Sequence, residues 1–341
     1  MTVKLVFHSD ASHPVVPSEM GIGRFDQMQG TPGEQLSELA GRVCYDSLGQ
    51  GRDSEGYHKH ISEVNHGSVR EHYNYCINIK DGITAILMRE CLNRPGVWVT
   101  PNRYGIGVRL CLNLRAAYEW QPHDERDGRR LANTVHESLA ATAFLCRDAS
   151  YIKGRSWAWE FAEPAHEEEQ WISLYMSGSR GFSHEQVRHK WRTAVSQRST
   201  RYCDESETPW CEHPLTLTLA DDLMKAGCSF IIKESQQCYR SLVYQLQSKL
   251  TSRGVDKLTA RKQARGAARG YLGNALQTEM IFSASVAQWK RMLRQRLHPA
   301  ADAEIRLIYA DVLRILQDET PYDFTEFAVV PSPDGLGVVL A

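Results

Sequence analysis

The sequence predicts an α+β fold made of two related, diverged halves with mixed sheets and long helices. Three observations carry that expectation. YNYCINIKDGITAILMREC and WISLYMSGSRGFSHEQVRH share a strand–turn–helix plan. CLNLRAAYEW and SASVAQWKRML fall at corresponding late positions. The longest helical stretches come late, from about Leu215 to Leu250 and from Lys257 to Arg269. A strand–turn–helix order that returns in one chain is the mark of an internal duplication. Residues 1–130 form the first half and residues 131–341 the second.

The elements follow in order. VKLVF opens with a short strand, and residues 33–47 place Leu36, Leu39, Ala40 and Val43 at helical spacing. His72 to Ile79 reads as a strand, followed by the helix-like run ITAILMRECL and the breaker Arg94-Pro95-Gly96. Val97 to Trp120 is extended and aromatic, residues 121–130 form a polar surface loop or linker, and helix signals resume from Leu131 to Arg147. WISLYM is a strand, and SGSRGFSHEQVRHKWR starts with helix-capping residues. After the two long helices, Leu276 to Phe282 is extended and leads into SVAQWKRMLRQRL and ADAEIRLIYADVLRIL, both helical in period. Trp98, Trp120, Trp157, Trp159 and Trp289 are assigned to the core.

Composition narrows the function. The chain has 341 residues, enough for one large core or two medium ones. Its 40 basic and 41 acidic residues give no global attraction to nucleic acid or membrane, so any phosphate site must be local. No apolar run is long enough to cross a bilayer and no signal-peptide pattern is present, so a cytoplasmic protein is expected. The nine cysteines include no CxxC pair and read as reduced, mostly buried thiols. Cys203, Cys211 and His213 fit no zinc spacing, and no metal is expected.

The most informative stretch is RHKWRTAVSQRSTRY, Arg188 to Tyr202. It crowds Arg188, His189, Lys190, Arg192, Arg198 and Arg201 around the hydroxyls of Thr193, Ser196, Ser199 and Thr200. Arginine forks and small hydroxyls hold phosphate and planar polar rings. The plain alternative is a solvated, salt-bridging face. Likewise, His66-Gly67-Ser68-Val69-Arg70-Glu71-His72 admits a capping or core role, Asn113 and Arg115 a surface turn, and Arg296 a basic solvent face beside Lys290, Arg291 and Arg294.

These segments resemble, in order, the flavin-dependent thymidylate synthase family. RHKWRTAVSQRSTRY is similar to the family signature RHRxxSxNxxSxRY with one additional residue between His189 and Ser196. His66 to His72 matches HxSxxEH, RVCYDS at Arg42 to Ser47 resembles the first long helix, and Ala268 to Arg306 resembles the closing region without a gap. Aligned from the right, the signature places Gln197, Ser199, Thr200, Arg201 and Tyr202 on its nucleotide-contacting half. Aligned from the left, it places Arg188 and His189 on its leading pair, with Lys190 to Arg192 unassigned. The family's NxR before the final helix reads Ser285 and Ala287 in the second half but Asn113 and Arg115 in the first.

The resemblance implies that His66, Ser68, Glu71, Asn113, Arg115, Arg188 and His189 bind FAD. It implies that Ser196, Gln197, Ser199, Thr200, Arg201, Arg269 and Arg296 bind a pyrimidine nucleotide, with Arg296 also the electrostatic catalyst. The implied reaction is C5 methylation of a uridylate-type nucleotide, dUMP to dTMP, with methylenetetrahydrofolate and NADPH as co-substrates. Because family members are homotetramers with sites between subunits, a fused duplicate is expected to form a homo-oligomer, a two-chain pseudo-tetramer, with no nucleic-acid or membrane partner. Two alternatives stay open: a methylase or hydroxymethylase of another pyrimidine nucleotide such as UMP, and a flavin- or nucleotide-binding pseudoenzyme. One or two pocket side chains decide the substrate.

Overall fold

A computed structural model of the chain describes residues 1–11, 14–16, 28–48, 51–80, 91, 94–101, 107–120, 127–140 and 158–341. Trp157 and the helical runs expected at residues 83–92 (Cys91 apart) and 141–147 lie outside the described residues, as does most of the expected loop at 121–126.

The centre is a four-stranded sheet in the order β1 (Thr2–His8), β6 (Trp171–Ser179), β8 (Gln277–Ser285), β7 (Thr193–Gln197). All nine residues of β6 are buried, because helices cover both faces. Side chains alternate across a strand. Ile172, Leu174 and Met176 therefore join Met280, Phe282 and Ala284 in one core, while Tyr175 and Ile281 join Leu36, Leu39 and Val43 in another. The first core is closed by α9 (Val286–Arg296) and α10 (Ala303–Glu319). Ser285 caps α9 through the Gln288 amide at 3.2 Å, and Trp289 Nε1 donates to the Ile172 carbonyl at 3.1 Å. The second core is closed by α1 (Pro32–Tyr45), which starts in a capping box between Thr31 and Glu34 with Pro32 in its first turn.

A second four-stranded sheet has the order β3 (Val97–Pro101), β4 (Val108–Asn113), β2 (Asn74–Ile79), β5 (Trp159–Ala162). It packs Ile77, Ile79, Leu110 and Leu112 against Trp120 and against Leu131 and Val135 of the helix Asp127–Ala140, α4. The two sheets share a plan. Each has a central pair (β2 with β4, β6 with β8), and a later strand, β3 or β7, on the far side of β4 or β8. In each, the second central strand runs straight into a helix. The division at residue 130 is not a division of the sheets. β1, from the amino-terminal segment, pairs with β6, and β5, from residues beyond 130, pairs with β2.

Three expectations are corrected. Mixed sheets are absent among the described residues, where every strand pairing is antiparallel. The extended reading of CLNLRAAYEW fails after Asn113, because the Asn113 side chain accepts the Ala116 amide at 2.8 Å and turns Leu114–Tyr118 into a helix, α3. The cysteines are not all free thiols: Cys76 and Cys111 face each other across β2 and β4 with Cα atoms 4.1 Å apart and form a disulfide. Directly opposed residues on adjacent strands put both Cβ atoms on one face within bridging reach.

The chain between α1 and β2 holds α2 (Ser54–Glu63) and a 3₁₀ turn, Gly67–Glu71. Immediately after that turn, His72 is fully buried, with Nδ1 2.7 Å from Ser283 Oγ and Nε2 2.8 Å from Ser196 Oγ. Burial pushes its pKa down to about 3. Unfolded chains take up this proton near pH 6.5, so the unfolded state binds more protons below that pH. Its contribution to stability is complete above pH 6.5 and is lost as pH falls toward 3. At pH 5 the loss from this residue is ~2 kcal/mol. Urea unfolding of wild type and His72→Gln at pH 7 and pH 5 tests this: the drop between the two pH values is expected to be smaller in the variant by about that amount. Equal drops would contradict it.

Candidate functional site

The sheets leave a cavity of about 1300 Å³ between them. One wall is the turn before β3, the start of α3 and the end of the 3₁₀ turn; the other is the segment from Val187 to Val195. Four residues assigned from sequence line it together: Glu71, Asn113 and Arg115 from the first half and His189 from the second. Local backbone chemistry puts them there. Gly96 has φ +76°, and a Cβ at that position would sit 2.1 Å from Asn113 Nδ2, so only glycine lets the turn close onto the α3 cap. Arg115, on the first turn of α3, donates to Glu71 Oε1 at 2.6 Å and to Glu119 at 3.1 Å. The Glu71 hydrogen bond, foremost, raises its pKa. Arg94, Arg115, Lys190 and Arg192 outnumber Glu71 and Glu119 on the lining, which gives the cavity a cationic bias. Trp98 and Trp171 supply aromatic surface, their ring centroids 6.0 Å apart.

The other residues assigned to the cofactor lie off this lining. His66 precedes the 3₁₀ turn and its Nδ1 is 2.8 Å from the Tyr45 hydroxyl. The Tyr45 ring meets Tyr202 edge-on at 4.8 Å, so His66 addresses the end of the signature loop. Burial and then Arg115 lower its pKa. Ser68 is half-buried on the same turn. Arg188 is exposed and donates to the His184 carbonyl at 3.2 Å.

Arg296 sits behind the cavity wall. Its Nε donates to His189 Nε2 at 2.9 Å and its Nη1 to Glu185 Oε2 at 2.5 Å, just beyond α5 (Arg180–Gln186) and at its last turn, respectively. His189 is thereby an acceptor, and its pKa is pushed down to about 4 by burial, then by Arg296 and Arg291. It is neutral at pH 7.

The remaining residues assigned to the nucleotide divide in two. Ser196 and Gln197 are turned inward: Ser196 meets His72, and Gln197 Nε2 donates to Ser183 at 3.0 Å and Thr278 at 3.1 Å. Thr200, Arg201 and Arg269 stand together where the signature loop meets the helix Lys257–Ala268, α8. Arg269 Nη1 reaches Thr200 Oγ1 at 3.5 Å, and the Arg201 side chain runs along Gly266 of that helix. Ser199 Oγ accepts the Arg201 amide at 3.4 Å. α8 fixes the loop from the other side, with Arg265 bound to the Tyr202 carbonyl and to Asp204, and Lys262 over the Tyr202 ring. Arg180, not singled out from sequence, joins this pole: burial, foremost, lowers its pKa, and Arg269 adds to the lowering. Its signal was an arginine at the first position of a capped helix. Trp98, expected in the core, faces the cavity instead; periodicity does not distinguish an aromatic that packs from one that lines a pocket.

Among the described residues, Cys76, Cys111 and Glu169 have ligand atoms within 4.8 Å of one another. The cysteines are bonded to each other, and both Glu169 oxygens take the Arg109 Nε proton at 2.9 Å, so the group is already engaged. His213 pairs with Asp302 at 3.1 Å.

Residues 167–322 match the family described as thymidylate synthase complementing protein. The chain is 32% identical over 169 residues to a flavin-dependent thymidylate synthase of Mycolicibacterium gilvum. It is 33% identical over 171 residues to that of Mycobacterium tuberculosis, and 33% over 173 residues to that of Mycolicibacterium vanbaalenii. Each match covers 49% of this chain and 66% of the relative, just under two thirds of its length.

The contact between Arg296 and His189 gives a directional test. In Arg296→Met the repulsion that helps depress the His189 pKa is removed while its burial remains. The pKa is expected to rise from about 4 toward, but not to, 6.5 in an imidazole NMR titration. An unchanged value would show that the guanidinium does not act on the ring.

Proposed function

We propose that this chain, whose residues 167–322 match the thymidylate synthase complementing protein family, methylates C5 of a uridylate-type nucleotide, dUMP to dTMP. Methylenetetrahydrofolate is the carbon donor, FAD the redox cofactor and NADPH the reductant. The observation that carries this reading is the meeting of Glu71, Asn113 and Arg115 with His189 on one cavity, although they are far apart in sequence. Its volume, cationic bias and aromatic wall fit an anionic, planar cofactor. FAD, when bound, supplies the hydride transfer. The protein supplies position and field: Arg115 offers a charged donor held by Glu71 and Glu119, and neutral His189 offers an imidazole whose Nε2 is already fixed by Arg296.

Arg201, Thr200 and Arg269, with Arg180 beside them, would hold the nucleotide phosphate. Arg296 would stabilise negative charge on a pyrimidine oxygen, as a fixed guanidinium does in a water-poor site. These groups occupy separate places in one chain, and we infer that a second copy brings them together. The 31-residue helix Asp222–Ser252, α7, supports this, since its only buried residue is Tyr239. It leaves Leu223, Phe230, Ile231 and Tyr244 63–81% exposed. Apolar surface of this extent marks a contact face. We also read the common plan of the two sheets as the trace of a fused duplication.

The decisive assay is reconstitution with FAD, followed by turnover of dUMP against UMP and dCMP with methylenetetrahydrofolate. A protein that takes up no flavin sinks the reading. One that binds flavin and nucleotide without forming product is the pseudoenzyme, a reading favoured by the engagement of Arg296 with Glu185 and His189. Arg201→Ala is expected to weaken nucleotide binding about ten- to a hundredfold with flavin retained; loss of flavin instead would contradict the assignment. Mixing inactive Arg115→Ala and Arg201→Ala chains is expected to restore activity if sites span two copies. No recovery, with a solution mass of one 38.7 kDa chain, would refute the shared site.

A further inference from the structure

Arg198 leads into the loop that carries Thr200 and Arg201, but its own guanidinium turns to protein acceptors. Nη1 lies 2.9 Å from Asp46 Oδ2 at the end of α1, and Nη2 donates to the Asp204 carbonyl at 3.4 Å. Nε lies 3.5 Å from Glu205 Oε1. The Arg198 backbone amide donates to the Glu279 carbonyl of β8 at 2.8 Å. Burial works against its charge, but Glu205 foremost, with Asp46 and Glu279, outweighs burial and holds the pKa above the ordinary arginine value. Glu205 is buried, and its other oxygen accepts the Thr208 hydroxyl at 2.6 Å. One side chain thus joins the entry of the loop to its exit and ties both to α1. Within the closed loop the Ser199 amide donates to the Cys44 carbonyl at 2.9 Å, and the Cys203 amide to the Ser199 carbonyl at 2.9 Å.

We propose that Arg198 is a positioning residue for the nucleotide phosphate: it staples the loop Ser199–Cys203 shut, so that Thr200 and Arg201 are held where they meet Arg269. A planar fork can address Asp46, the Asp204 carbonyl and Glu205 together, which a lysine ammonium cannot do in the same geometry. Ordering the loop in advance spares the ligand that cost on binding. The inference rests on assigning the phosphate to Thr200, Arg201 and Arg269, and it removes Arg198 from the groups that touch it.

Wild type and variants are titrated with dUMP, with deoxyuridine, which lacks the phosphate, and with FAD. Arg198→Met is expected to weaken dUMP about tenfold, with deoxyuridine and FAD unchanged and Arg198→Lys losing less. Arg198→Met/Glu205→Gln also removes the buried carboxylate left without its partner, so the melting temperature recovers while dUMP stays weak. Asp46→Gly separates positioning from charge, because glycine accepts φ +49° at that place. Charge alone would make the loss of a carboxylate favour an anion; the staple predicts that dUMP weakens roughly two- to fivefold. Unchanged or tighter dUMP binding in Asp46→Gly, or full recovery of dUMP affinity in the double variant, overturns the staple. So does equal weakening of dUMP and deoxyuridine in Arg198→Met. Each of these outcomes leaves the nucleotide reading standing, whereas a wild-type protein that does not bind dUMP overturns both.

Discussion

The structure turns on one buried imidazole. His72 belongs by sequence to the first half, yet both of its ring nitrogens are spent on hydroxyls of the central sheet, Ser283 on β8 and Ser196 on β7. Ser173 on β6 extends the network to Ser283 at 2.6 Å. A neutral imidazole offers one donor and one acceptor, and hydroxyls answer either. In a fully buried place each of these bonds is obligatory, since an unmet polar group there costs ~1–3 kcal/mol. The network therefore fixes where the 3₁₀ turn Gly67–Glu71 ends and where β2 begins, and with them the stance of one sheet against the other.

That stance creates the cavity. Glu71 lies one residue before His72 and holds Arg115, while Arg70 lies over the Tyr118 ring at 4.4 Å. α3 is thus tied at both ends to the turn that His72 anchors. Opposite, β7 carries Ser196, and four residues before it stands Arg192, from which the chain enters the strand. The two walls are joined through the imidazole, so residues that share no local sequence face one space. The arginines of the outer pole, Arg201 and Arg269, depend instead on α8, which packs along a long helix with an exposed apolar face. The two poles have different supports.

The central sheet, β1-β6-β8-β7, was the more legible in sequence. WISLYM, the helix from Val286 and the helix from Ala303 stand where their periods put them, because each has a clear apolar face and a capping residue at its start. The sheet β3-β4-β2-β5 was harder to read. Asn113 looks like strand until its side chain is seen to close a turn, and the pairing of Cys76 with Cys111 depends on a strand register that no local pattern carries. The exchange of β1 and β5 between sheets is a long-range event and left no trace in composition. Asn113, Arg115, Glu71 and His189 were singled out by motif, and they line one cavity. Ser196 was assigned to the nucleotide as part of the signature loop, and alternation on β7 sends it into the core with His72.

The central claim is that the cavity between the sheets is one flavin site built from both halves of a single chain. Hydrogen–deuterium exchange with and without saturating FAD tests it most directly. Slowed exchange is expected at once in residues 94–98, in 113–119 and in 187–195, the segments that line the two walls. Protection confined to one wall, or none in the presence of bound flavin, would contradict it.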